Sequence, residues 1–184
     1  IQGTIQSDIN GIPSRTVNEN GHYIRTPSVS WTENDKWSVA EVIEIAGHQG
    51  DNYFHIAYRD SFSFEHRWMQ VSFHTLAIVT PFNGTVGSQY ILFGKQNGTS
   101  IKYTVYNLSD GSVFSTSTAI IVTQSTPLGS SGFNSPSYMM VGAGHTASEV
   151  ANAKFGEVLV YNRYMDDEEE AQLVAHLQNK WNPV

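Results

Sequence analysis

The last thirty residues constrain the fold more than any other stretch. Phe155-Gly156-Glu157-Val158-Leu159-Val160-Tyr161-Asn162-Arg163 reads as a buried strand, and after a short turn a single amphipathic helix follows. Asp166 stands at the N-cap position, and Glu169 three residues on completes an Asp-x-x-Glu capping box. Asp167, Glu168, Glu169 and Glu170 fill the first turn, where the positive end of the helix dipole favours carboxylates. Leu173, Val174, Leu177 and Trp181 recur at helical spacing, Lys180 lies in the last turn, and Pro183 is a stop beyond it. A run of acids can also signal a metal site, but a solvated first turn matched to the dipole accounts for this one. The helix reads as structural.

Upstream, short strands alternate with turn formers. Trp37 to Ile45 reads as a strand ended by Ala46-Gly47-His48-Gln49-Gly50, and Tyr53 to Arg59, Trp68 to Phe73 and His74 to Val79 follow. Gln89 to Phe93 and Ser100 to Tyr106 are joined by Lys95-Gln96-Asn97-Gly98, whose Asn-Gly is a strong hairpin signal. Ala119 to Thr123, Tyr138 to Val141 and Phe155 to Tyr161 complete the set, and Thr123 to Pro136, heavy in Ser, Thr, Gly and Pro, is expected to be a long surface loop. This spacing, with one helix at the end, excludes a parallel α/β fold. It predicts an all-β domain, a two-sheet antiparallel β-sandwich with one short C-terminal α-helix.

At 184 residues the chain suits one domain, a size at which about 70% of the unfolded surface can be buried. Its formal net charge of −7 opposes binding to nucleic acid or to an anionic membrane, both of which need a basic footprint. No apolar run approaches the roughly 20 residues of a membrane helix, so no membrane insertion is expected. The absence of cysteine rules out disulfides, zinc–thiolate centres and cysteine nucleophiles together. The sequence opens at Ile1 without an initiator Met or a signal peptide, which suggests a processed product or a module of a longer chain.

The closing segment resembles the concanavalin A-like lectin/glucanase superfamily in its laminin-G-like (pentraxin-like jelly-roll) branch. There the pattern reads roughly G-x-I-A-E-V-L-V-Y-N-R-x-L-S-D-x-E, and the helix after it often ends in Lys-Trp. The matching residues are Gly156, Glu157, Val158, Leu159, Val160, Tyr161, Asn162, Arg163, Asp166, Glu169, Lys180 and Trp181. The resemblance implies a jelly-roll sandwich carried as a module in a larger surface, secreted or virion protein. The signature belongs to the scaffold and does not designate a site.

Enzymes occur in that superfamily, and the laminarinase-like branch carries a strand motif Glu-x-Asp-x-x-Glu. Retaining glycoside hydrolysis needs two carboxyl groups about 5 Å apart. The nearest pair is Glu41 and Glu44 in Ala40-Glu41-Val42-Ile43-Glu44-Ile45, and an odd spacing of three sends them to opposite faces of a strand. No nucleophile elbow, zinc-protease helix or phosphate-cradling glycine loop appears either. The expectation is therefore a chain that is not an enzyme.

The candidate binding residues lie mid-chain. In Asp51-Asn52-Tyr53-Phe54-His55-Ile56-Ala57-Tyr58-Arg59-Asp60, Phe54, Ile56 and Tyr58 share one face and suit a core, while Tyr53, His55 and Arg59 share the other. Across Arg67 to Phe73, Met69, Val71 and Phe73 point inward and Trp68, Gln70 and Ser72 outward. An aromatic ring accepts the C–H side of a sugar, and planar donors fix its hydroxyls. Tyr53, His55, Arg59, Trp68 and Gln70 are thus the expected ligand contacts, weighed against plain sandwich packing. The seven histidines show no ligand spacing, so a transition metal is not expected. Relatives of the fold implied by the resemblance hold calcium through loop oxygens, and Asp51, Asn52, Asp60 and Glu65 are the donors that would serve.

The expected function is a non-catalytic, lectin-like module that captures a glycan or polysaccharide on an extracellular, cell-surface or virion surface. Two readings compete with it. One is a structural domain, such as a virion decoration or fibre domain, whose partners are other protein chains. The other is a glycoside hydrolase or polysaccharide lyase of the same superfamily.

Overall fold

The computed structural model describes residues 5–17, 24–25, 36–47, 53–58, 62–67, 70–73, 76–80, 84–97, 100–120, 139–141, 152–161 and 163–182. Among the described residues the chain is mainly β with one C-terminal helix, and every strand pairing is antiparallel. The strands are β1 (Ile5–Ile9), β2 (Ile12–Val17), β3 (Ile24–Arg25), β4 (Lys36–Ile45), β5 (Tyr53–Tyr58), β6 (Phe62–Arg67) and β7 (Gln70–Phe73). They continue with β8 (Leu76–Thr80), β9 (Gln89–Asn97), β10 (Ser100–Asn107), β11 (Val113–Ile120), β12 (Met139–Val141) and β13 (Ala153–Tyr161), followed by helix α1 (Asp167–Trp181). One sheet has seven strands in the order β1-β2-β13-β4-β9-β10-β11, and the other six in the order β3-β12-β5-β6-β7-β8.

At the centre of the seven-stranded sheet, β4 and β9 are buried on both faces. Ala40 and Val42 of β4 and Ile91 and Phe93 of β9 alternate onto one face, where they meet Val174, Leu177 and Trp181 of α1 together with Ile9, Leu108 and Met165. The intervening residues Val39, Ile43, Leu92 and Val105 are equally buried, on the face turned away from the helix. A strand covered on both sides reads as a near-continuous apolar run, which is the look of Val39 to Ile45 apart from its two glutamates.

β13 keeps its place in this sheet through a bulge at Gly156. Phe155 pairs with Ile43 and Glu157 with Val42, so Gly156 is an extra residue that resets the alternation. Phe155 therefore faces away from the helix, whereas Glu157, Leu159 and Tyr161 pair with Val42, Ala40 and Ser38 on the helix face. α1 starts as its sequence dictates. The Asp166 carboxylate accepts from the Glu169 N–H at 2.9 Å, and Glu169 returns the contact by accepting from the Asp166 N–H at 3.1 Å. At the other end the Trp181 indole N–H and the Lys180 ammonium both donate to Glu157.

Several expected boundaries move. β9 runs on to Asn97 and pairs it with Ser100, so Lys95 to Asn97 belong to the strand and not to the expected turn. β11 spans Val113–Ile120, well before the expected Ala119 to Thr123. β1 and β2 form a further hairpin, whose turn is Asn10-Gly11 with both φ positive, at 52° and 77°. β6 was missed, hidden between two aromatic runs. The expected loop from Thr123 to Pro136 lies outside the described residues.

Candidate functional site

The central strands of the six-stranded sheet bring part of the expected ligand set into neighbouring rows. Tyr53 of β5 stands opposite Arg67 of β6, which stands opposite Gln70 of β7. His55 stands opposite Glu65, which stands opposite Ser72. Tyr53 and His55 are two apart on β5, so the two rows are neighbours in the register. Arg67 and Ser72 join the group on register alone, and Glu65, expected as a calcium donor, sits in the row of His55. Only the identity of β6 as the strand between them could have shown this. Arg59, Trp68, Asp51, Asn52 and Asp60 lie outside the described residues. Among the described residues no group of three His, Asp or Glu side chains is gathered to hold a metal.

The two glutamates of β4 take different environments. Glu44 lies on the helix face, where Lys154 pairs with it at 2.7 Å and Gln89 donates to it at 2.9 Å. Glu41 is fully buried on the opposite face among Val39, Ile43 and Leu92. Burial pushes its carboxyl up to about 8, so it is mostly protonated at neutral pH. Tyr103, also buried, has its hydroxyl pKa raised well above the usual value by desolvation and then by the charge of Glu41. The strand geometry separates Glu41 and Glu44, and neither serves as the partner of the other.

A third polar group lies under the first turn of α1. The Lys95 ammonium, wholly buried, donates to Asp167 at 2.6 Å and contacts Glu170 at 2.7 Å, and it lies 5.0 Å from the centre of the Tyr164 ring. The Tyr106 hydroxyl donates to Glu170, and Lys102 donates to Asp167 at 3.1 Å. Burial alone would lower the Lys95 pKa, but the hydrogen bonds to Asp167 and Glu170 outweigh it and the pKa is raised. Lys95 and Glu170 are matched inside the fold and Asp167 and Lys102 carry the pairing out toward solvent, so the cluster fastens the helix to the sheet.

No family model matches the chain, and no curated protein sequence matches it either. Solved structures do. The Trypanosoma rangeli sialidase in complex with the inhibitor DANA is 14% identical, with a TM-score of 0.57 over 88% of this chain and 27% of its own. A GH54 α-L-arabinofuranosidase soaked with a cyclic sulfate inhibitor is 12% identical, with a TM-score of 0.65 over 94% of this chain and 42% of its own. The enzymatically active domain of tailspike protein 2 from bacteriophage CBA120 is 12% identical, with a TM-score of 0.64 over 98% of this chain and 29% of its own. At such identities the likeness is one of fold. The chain spans less than half the length of each of these proteins.

The expectation that the chain is not an enzyme is corrected by these neighbours. Two are glycosidases by name and the third an enzymatically active domain, so the fold occurs within chains that carry out catalysis. The expectation rested on the opposed faces of Glu41 and Glu44 and on the lack of a nucleophile elbow, zinc-protease helix or phosphate-cradling loop within this chain. A catalytic group set on another part of a longer protein leaves no trace in such a motif.

Proposed function

We propose that the chain is a carbohydrate-directed β domain of a longer protein exposed outside the cell or on a virus particle. In such a parent it holds a glycan beside, or as part of, a glycoside-processing unit. The observation that carries this reading is the fold likeness to a sialidase, an arabinofuranosidase and a phage tailspike, each extending well beyond the matched region. On this reading the two sheets form a laminin-G-like jelly-roll sandwich. Burial of Val39, Ile43, Leu92 and Val105 on the side away from the helix supports that arrangement, because the second sheet is the largest element left to cover them.

The proposed contacts are Tyr53, His55, Arg59, Trp68 and Gln70, with Arg67 added by register. A ring, an imidazole and guanidinium forks on neighbouring strands supply both the stacking surface and the fixed donors that sugars require. Single-site affinity is expected to be weak and raised by multivalent display. The test is a printed array of neutral, sialylated and bacterial-surface oligosaccharides, probed with the tetramerised wild-type chain and with Trp68→Ala. Binding to one glycan class that Trp68→Ala diminishes supports the reading. No binding to any sugar removes it.

A further inference from the structure

The two sheets divide the cations of the chain by type. Every lysine stands on the seven-stranded sheet or its helix, as Lys36, Lys95, Lys102, Lys154 and Lys180. All but Lys36 are matched there to carboxylates: Lys95 and Lys102 to Asp167 and Glu170, Lys154 to Glu44, and Lys180 to Glu157. The strands of the six-stranded sheet hold no lysine. Their fixed charges are Arg25 on β3 and Glu65 and Arg67 on β6. One carboxylate thus stands against two guanidiniums, and the acidic excess of the chain lies outside these strands.

The register spreads these charges over alternate rows. Arg67 stands between Tyr53 and Gln70, neither of them charged. Two residues back along β6, Glu65 stands between His55 and Ser72, so the position opposite the one acid already holds an imidazole. Two residues on from His55, Ala57 pairs with Met140 and Met140 with Arg25. Arg25 and Arg67 therefore lie about 20 Å apart at ordinary strand and residue spacings. That interval exceeds a single sugar ring and matches a stretch of polysaccharide. A guanidinium offers two parallel donors that fit the paired oxygens of a carboxylate or sulfate, where an ammonium offers a point charge. A sheet equipped with guanidiniums and no ammonium suits planar or multi-oxygen anions spaced along a chain.

We propose that the ligand of the six-stranded sheet is an acidic polysaccharide, whose anionic groups are met by Arg67 on β6 and Arg25 on β3. The proposal rests on the carbohydrate reading above, names the charge of its ligand and extends the contact from β5–β7 to β3. Its test titrates polygalacturonate, carboxyl-reduced polygalacturonate, dextran sulfate and dextran into wild type, Arg67→Gln, Arg67→Lys and Arg25→Gln, at low and high salt, with thermal melts run alongside. Wild type is expected to bind one or both polyanions at least tenfold more tightly than the neutral polymers, on the order of one charge-assisted contact, and to lose that preference as salt screens it. A preference for polygalacturonate identifies carboxylate as the group recognised, and one for dextran sulfate identifies sulfate. Arg67→Gln and Arg25→Gln are each expected to weaken the binding about tenfold with an unchanged melt, and Arg67→Lys to keep only part of it. If Arg67→Gln lowers the melt, Arg25→Gln decides in its place. Neutral glycans bound as tightly as acidic ones, or polyanion binding indifferent to both arginines, overturns this inference and leaves the carbohydrate reading standing. A wild type that binds no glycan, charged or neutral, removes that reading and this inference with it.

Discussion

Gly156 lies directly against the Trp181 ring: a Cβ built at position 156 would fall 2.7 Å from Cζ3 and 2.8 Å from Cη2 of the indole. Trp181 is itself buried and held by its N–H to Glu157, so the ring has nowhere to retreat. Gly156→Ala is therefore expected to lower stability by about 1–3 kcal/mol, the usual cost of overpacking a core. Urea unfolding monitored by Trp fluorescence checks it. A midpoint equal to that of wild type would show that the indole moves aside freely.

The Lys95 cluster makes unequal demands on its two acids. Glu170 is 2% exposed beside a buried ammonium, whereas Asp167 is 80% exposed. Removing a buried partner strands a charge, so Glu170→Ala is expected to cost about 3–5 kcal/mol. Asp167→Ala removes a solvated contact and is expected to cost under about 1 kcal/mol. Denaturant curves for the pair of variants decide the order, and equal losses would mean that Lys95 finds water once Glu170 is gone.

Glu41 gives the fold a pH dependence of definite sign. Its folded carboxyl is raised from 4.5 to about 8 by burial, so the folded state binds the proton more tightly than the unfolded chain. Its contribution to stability is fully present below pH 4.5 and is lost as the pH rises toward about 8. Glu41→Gln keeps the shape without the charge. It is expected to leave the melting temperature unchanged near pH 4 and to raise it at pH 8, by an amount on the order of a few kcal/mol in stability. An equal effect at both pH values would place the side chain in contact with water.

The capped helix was fully legible, because its signals are local. Asp166, Glu169 and the stripe through Leu177 and Trp181 each act within a few residues of chain. The opposed faces of Glu41 and Glu44 were legible for the same reason. Less visible were features set by pairing. The Gly156 bulge, the buried ion pairs of Lys95 and the row joining Tyr53 to Arg67 depend on which strand lies alongside, and alternation within one strand does not encode that. The acidic first turn has the pattern of a solvated one, yet Glu170 is buried, because a lysine from β9 reaches it across the helix–sheet interface. The Asn10-Gly11 hairpin carried a clear local signal and could have been found.

The most direct test of a carbohydrate role is a titration of the ¹⁵N-labelled chain with the strongest oligosaccharide from the array, followed by amide chemical shifts. The expected result is saturable binding in the micromolar-to-millimolar range, with shifts centred on β5–β7. Shifts confined to α1, or none up to millimolar sugar, would contradict it.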